Sequence, residues 1–491
     1  MAVVDPRTPV IVGVGQLVQR PADPSDALEP VAMMVEAVRR AADDAGAKAL
    51  LPKVDAVRVV KGAWPYRDPG RLIAGWIGAS PKQTALSTDG GNTPQSLVNR
   101  SCLDIQAGHL DVVVLVGAEG IWSRRRARRS GQVIPYTDDA DAAPAEVLGH
   151  ELQMGSRLET SRGFEAPVNI YPTFENAIRA CRGESIPAHL ERISTLWEGF
   201  NRVAVENPYA WVRKPMTAEQ IRTPSPDNRM VGFPYTKAMN SNWDLDQAAA
   251  VILCSAEAAE SLAIERARWV FPWSGTDAHD TLLFSNRDNF YSSPAIRTAG
   301  RVAFELANRN VDDVAHVDLY SCFPSAVQIA ANELGLGEDR QLTVTGGLPF
   351  AGGPLNNYVM HSIATMTSVL REHPGQLGLC SANGGFVTKH AIGLYSTEPP
   401  PQPFRHADVQ DEVDRYPSRE VVEDYTGPAT LESYTVMHGH DGPEVALTSA
   451  LTPDGRRVLG SNRNRATMTA LMEREHIGQP VEVGPRASIE I

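Results

Sequence analysis

At 491 residues the chain is long for one small domain, and at roughly 150 residues per domain about three packed cores are expected. Its 42% hydrophobic and 21% charged residues are the composition of a folded chain, and 46 basic against 59 acidic residues leave −13, which disfavours duplex nucleic acid as a partner. Apolar runs such as Val112 to Val116 are far shorter than the ~20 residues of a bilayer helix, no basic run precedes an apolar one near Met1 so export is not expected, and five scattered cysteines without a CxxC disfavour both a disulfide framework and a zinc site. No metal is expected, and a reduced cytoplasm is the expected location.

Pro9 to Val14 reads as a buried strand ending at Gly13 and Gly15. A helix follows from Pro30, with Val31, Met34, Val35 and Val38 at helical spacing and Gly46 as its stop. Val54 to Val60 and Thr84 to Thr88 are further strands. Thr93 and Pro94 are read as the N-cap and first residue of a helix to about Gly108, and Asp111 to Ala118 as the strand that closes the unit.

A similar order returns later. Trp269 to Ser274, Val314 to Tyr320, Gln341 to Thr345, Leu377 to Cys380 and Ala391 to Tyr395 read as strands. Helices are expected at Pro294 to Asn308, Pro324 to Leu334 and Pro354 to Arg371. Alternating strands and helices imply an α/β fold with a mostly parallel sheet, here two halves of similar element order. Residues 121 to 245 show no such rhythm and read as an inserted loop domain between residues 1 to 120 and a return segment at 246 to 264. The second half spans 265 to 398. The proline-rich stretch 399 to 403 reads as a linker, and 404 to 491 as a small all-β domain with a ThrProAspGlyArg turn and one short helix near Ala466 to Glu473.

In parallel α/β folds ligands bind beyond the carboxyl ends of strands, which singles out four loops. They are TDGGNTPQS (88 to 96), YSCFPSA (320 to 326), GGLPFAGGPLNN (346 to 357) and CSANGGFVTKH (380 to 390). At these loops the chain resembles the thiolase superfamily, and within it the sterol-carrier-protein type. VDLYSCF (317 to 323) is similar to the family's HDCF motif, AGGP (351 to 354) to its GHP motif, and CSANGG (380 to 385) to its CxG or HNxGxGG region. The resemblance covers about residues 5 to 398 and implies a duplicated βαβαβαββ core with an inserted loop domain. The last segment resembles the additional β domain of actinobacterial thiolase-like proteins, loosely similar to an OB fold.

The departures from the family bear on chemistry. The resemblance places the nucleophilic cysteine at about Gly91 and the activating histidine of GHP at Gly353, and neither glycine has a side chain. Tyr320 stands where HDCF has its histidine. Cys322 matches the HDCF cysteine, an acid/base in the family, and Tyr320 with the following helix N-terminus is expected to lower its pKa or give it a proton-transfer role. Asn383 fits the glycine spacing of the CxG region better than Cys380 does. His390 is a further candidate, while His361 and Cys102 read as packed residues within helices.

The resemblance also implies coenzyme A or an acyl-CoA as ligand. Arg124, Arg125 and Arg126 lie in the one dense basic run, read either as a solvated loop paired with the acids at 138 to 141 or as forked donors for the ligand's phosphates. Lys237 is a second phosphate candidate. Three functions compete: a coenzyme A or acyl-CoA binder of lipid metabolism without thiolase activity, an atypical thioester-processing enzyme that uses Cys322, Tyr320 and His390, and a partner or scaffold protein. Thiolases pair through an edge strand, so a homodimer is among the expectations.

Overall fold

The computed structural model describes residues 4–490. Val112–Gly120 is buried at every position and lies within a six-stranded sheet. The order across that sheet is Pro9–Val18, Asp246–Ser255, Val112–Gly120, Ala56–Val59, Gln83–Ser87 and Glu146–Leu148. Asp246–Ser255 runs antiparallel to both neighbours, whereas Val112–Gly120, Ala56–Val59 and Gln83–Ser87 are parallel. The helix Pro30–Asp44 buries Val31, Met34, Val35 and Val38. Gly13 permits that helix to approach the first strand: a Cβ there would overlap the Ala41 carbonyl and reach 3.1 Å from the Ala45 Cβ.

The second half repeats this order. Val314–Asp318, Leu377–Gly384, Lys389–Ser396 and Phe271–His279 follow one another across a second sheet, with Lys389–Ser396 antiparallel to both neighbours. The two halves therefore share one topology, an α/β duplication. Gln341 to Thr345, expected as a strand, is irregular. Asp318 accounts for this, because its buried carboxylate accepts the amide N–H of Val344 at 2.9 Å and of Thr345 at 3.1 Å. Those donors are then unavailable to a sheet ladder.

Arg405–Asp408 pairs in parallel with Phe271–His279 as the fifth strand of the second sheet. The expected start of the all-β domain at 404 is therefore corrected, since the chain re-enters the core after its prolines and Phe404, Val409 and Val413 are buried there. Beyond this strand, Gly427–Gly439, Gly442–Leu451, Arg457–Asn462, Pro480–Val483 and Ile489–Glu490 form an antiparallel β domain with the helix Arg465–Glu473. Met230–Gly232, from the insert, pairs with Gly427–Gly439 in the same sheet.

The insert contains two long helices, Pro167–Cys181 and Ile186–Glu206. Proline occupies the first turn of each, where its missing N–H is not needed, so these prolines start helices instead of breaking them. The first helix is held by the β domain: Ser433 Oγ donates to the Thr173 carbonyl at 2.6 Å, and Arg179, almost wholly buried, donates to Tyr434 Oη at 2.9 Å and Glu475 at 2.8 Å. The short strand Glu146–Leu148 pairs in parallel with Gln83–Ser87 and forms the edge of the first sheet. Among the described residues no helix is long and apolar enough to cross a membrane.

Candidate active site

Three of the four loops converge on Gly91. The helix Thr93–Gln106 starts one residue earlier than its sequence suggests, with Asn92 as N-cap and Thr93 as the first helical residue. Thr93 Oγ1 donates to the Gly90 carbonyl at 2.9 Å, and the Gly90 amide donates to Asn356 Oδ1 at 3.0 Å. Asn356 Nδ2 in turn donates to the Lys61 carbonyl at 2.9 Å, so this asparagine pins the turn. A Cβ on Gly91 would overlap the Tyr320 hydroxyl and the Asn383 carbonyl, and would lie 2.8 Å from Tyr320 Cε2. Residue 91 is glycine, and the tyrosine phenol fills the space its side chain would enter.

Gly353 has a similar surrounding. A Cβ there would lie 2.5 Å from Ser241 Oγ and 3.1 Å from Leu348 Cδ2, so the place of a side chain at 353 is taken by Ser241 and Leu348.

Cys322 is buried next to Asn383, whose Nδ2 lies 4.0 Å from its sulfur. Burial pushes the thiol up to about 12, against hydrogen bonding from Tyr171 that favours the thiolate. The expected lowering is thereby corrected: Tyr320 does not contribute to it, desolvation outweighs the hydrogen bonds from Tyr171, the Phe323 backbone and Asn383, and at neutral pH the group is a thiol. Asn383 Nδ2 donates to Tyr171 Oη at 3.0 Å, and the Tyr171 hydroxyl donates to the Gly385 carbonyl at 3.0 Å. Tyr171 also stacks on Phe323 with ring centroids 4.3 Å apart. It belongs to the helix held by the β domain, and it is a site residue with no sequence signal, since only the tertiary path brings the insert here.

The other candidates are more scattered. His390 is buried with Nε2 3.3 Å from the Asp280 carboxylate, and together with Tyr320 and Asn383 it lines a void of about 10 Å3, room for at most a water. Its ring therefore backs the site and does not open into a ligand cavity. His361 Nδ1 meets Gln16 Oε1 at 2.8 Å, and burial drives its pKa down to about 3. Cys102 and Cys380 are wholly buried, and desolvation raises both thiols.

The arginine run is the helix Ile121–Arg129, not a loop, and it continues directly from Val112–Gly120. Arginine is a good helix former, so a run of it propagates a helix as readily as a solvated loop. Arg126 donates to the Pro21 and Ala22 carbonyls at 2.8 Å each and stacks over Trp122. Arg124 donates to the Ala63 carbonyl at 2.7 Å and Arg125 pairs with Asp244; both remain exposed. Lys237 is exposed at the end of the short hairpin that joins the β domain. No group of three or more metal-ligating side chains occurs among the described residues.

The whole architecture matches a solved structure. A monomeric SCP2-thiolase like protein type 1 from Mycobacterium smegmatis superposes with a TM-score of 0.85 and 31% identity, over 99% of this chain and 100% of that one. This chain belongs to that thiolase-like family. Residues 408–486 match the family model of the thiolase-like protein type 1 additional C-terminal domain. An acetyl-CoA acetyltransferase of Methanocaldococcus jannaschii is 27% identical over 146 residues, 30% of this chain and 36% of that enzyme. The Ltp2-ChsH2(DUF35) aldolase shares the fold at a TM-score of 0.61 and 18% identity, over 80% of this chain and 99% of that one. In this thiolase-like chain the β domain is thus a family feature, and the insert it supports carries Tyr171 into the site.

Proposed function

We propose that this thiolase-like protein binds a coenzyme A thioester of lipid metabolism at the loops around Gly91, Tyr320, Gly353 and Asn383, and forms no acyl-enzyme at position 91. The observation that carries this reading is the Tyr320 phenol in the space of a missing residue 91 side chain, because covalent acyl transfer needs a nucleophile there. Exposed Arg124 and Arg125 supply forked donors for the phosphates, with Lys237 as a second contact. Arg126, committed to two carbonyls, serves the helix instead. Calorimetric titration with coenzyme A tests this: binding that weakens in Arg124→Ala and Arg125→Ala supports it, and absence of binding by the intact protein refutes it.

A second reading rests on the cluster of Tyr171, Cys322 and Asn383. The neutral Cys322 thiol and the phenols of Tyr171 and the neighbouring Tyr320 are proton donors at pH 7, suited to hydrogen-bonding a thioester oxygen and to acid catalysis without a covalent intermediate. Loss of turnover on a β-keto thioester in Tyr320→Phe, with coenzyme A affinity retained, would favour this reading over plain binding.

A further inference from the structure

The second half and the C-terminal segment enclose a cavity of about 410 Å3 that the readings above leave unused. One wall comes from the stretch His279 to Arg297, and the other from Val413 to Ser418, inside the residues that match the family's additional domain. Small-molecule sites of this size gather at such seams. The cavity is distinct from the loops around Gly91. Asp280 lines it, and His390, 3.3 Å from that carboxylate, lines the separate small void beside Tyr320.

Most charges that line the cavity are already paired within the chain. Asp280 and Arg287 are 4% and 3% exposed and meet at 3.4 Å, and Arg287 also donates to the Ser292 and Val387 carbonyls at 2.7 and 2.8 Å. Arg297 pairs with Glu333 at 2.6 Å, and Asp288 with Arg419 at 3.3 Å. Walls held in this way are formed before a ligand arrives, which lowers the ordering cost of binding.

Neutral hydrogen-bonding groups and one carboxylate are left for a ligand. The hydroxyls of Thr281 and Ser418 line the cavity and make no hydrogen bond to another described residue, and His279 uses only Nδ1, 2.9 Å from the Asp280 carbonyl. Asp414 has no cationic partner among the described residues, and its Oδ1 accepts from Gln410 Nε2 at 2.7 Å. The half-buried ring of Tyr416 lies on the same wall. Hydroxyls both donate and accept, a carboxylate accepts two donors side by side, and an aromatic face covers the C–H groups of a saturated ring. The unpaired Asp414 opposes an anion, so the bound group is neutral.

We propose that this cavity is a second ligand site, which takes a neutral ring bearing adjacent hydroxyls, either a free sugar or the ribose of a nucleoside. The site is independent of coenzyme A, which is left out of the test. Hydrogen–deuterium exchange of the full chain is followed by mass spectrometry with saturating glucose, adenosine or dideoxyadenosine, which lacks the adjacent hydroxyls. Glucose, adenosine or both are expected to slow exchange about twofold or more in 279–297 and 413–418 relative to the rest of the chain. Protection by glucose alone identifies a free sugar, and by adenosine alone a nucleoside. Thr281→Val with Ser418→Ala is expected to lose the protection at an unchanged melting temperature. Absence of protection by glucose and adenosine, equal protection by adenosine and dideoxyadenosine, or protection that persists in the folded double variant overturns the proposal.

Discussion

Arg457 and Glu432 form an ion pair inside the β domain, Nε to Oε2 at 2.6 Å, while the same guanidinium donates outward to the Ser285 carbonyl of the core at 2.7 Å. It also reaches the carbonyls of Arg287 and Asp288 and stacks over Phe290 at 4.2 Å. One wholly buried side chain thus fastens the added domain to the second thiolase-like half.

Arg457→Ala removes the counter-charge of Glu432, which keeps only the Ser449 hydroxyl, and takes this donor from the Ser285 and Arg287 carbonyls. Removing one partner of a buried pair costs about 3–5 kcal/mol, and the loss is expected as a lower melting temperature. Arg457→Lys recovers little, because an ammonium cannot span the carboxylate and the carbonyls together. Truncation at 404 is more severe, since it removes the Arg405–Asp408 strand and uncovers buried Arg179.

Cysteine reactivity gives an independent check of the electrostatics at the site. With its thiol near 12, Cys322 holds almost no thiolate at pH 8, while Cys181 is exposed. Iodoacetamide is expected to label Cys181 first and Cys322 slowly while the fold is intact, with the wholly buried Cys102, Cys254 and Cys380 slower still. Because the folded-state value lies above that of the unfolded chain, this thiol's contribution to stability is complete below about pH 9 and declines toward pH 12.

Glu119, buried with its carboxylate accepting the Ala63 amide at 2.9 Å, is raised by burial to about 7. A carboxyl raised in the folded state favours folding below its unfolded value and loses that effect as pH rises through 7. Glu119→Gln is therefore expected to stabilise the protein at pH 8, on the order of 1–3 kcal/mol, and to have little effect at pH 4. Thermal melts at the two pH values measure this.

The core was legible because strand and helix periodicity agree with what the strands bury: Val112–Gly120 and Pro30–Asp44 fall close to where their patterns place them. Elsewhere, tertiary contacts decided. The missing strand near Thr345 reflects a single buried carboxylate, Asp318, and the Arg405–Asp408 strand has exposed ends and no apolar alternation to announce it. The prolines of the insert were legible only as breaks, although Pro167 and Pro187 lie in first helical turns. Gly91, Tyr320 and Asn383 could be named from the motifs. Tyr171 and Asn356 could not, because each acts through contacts with chain more than 200 residues away.

Gly91→Cys tests the packing at the centre of the site. The new side chain meets the Tyr320 ring, so the variant is expected to melt below the parent, and Tyr320→Ala in the same chain to recover part of the loss. A coupling of about 0.5–3 kcal/mol is expected for groups in direct contact.

The measurement that bears most directly on the proposed function is the intact mass of the protein after incubation with acetyl-CoA or acetoacetyl-CoA, beside a calorimetric titration with coenzyme A. The account predicts heat of binding with no hydroxylamine-labile mass gain. A labile acyl adduct, mapped to Cys322 or any other cysteine, would contradict it.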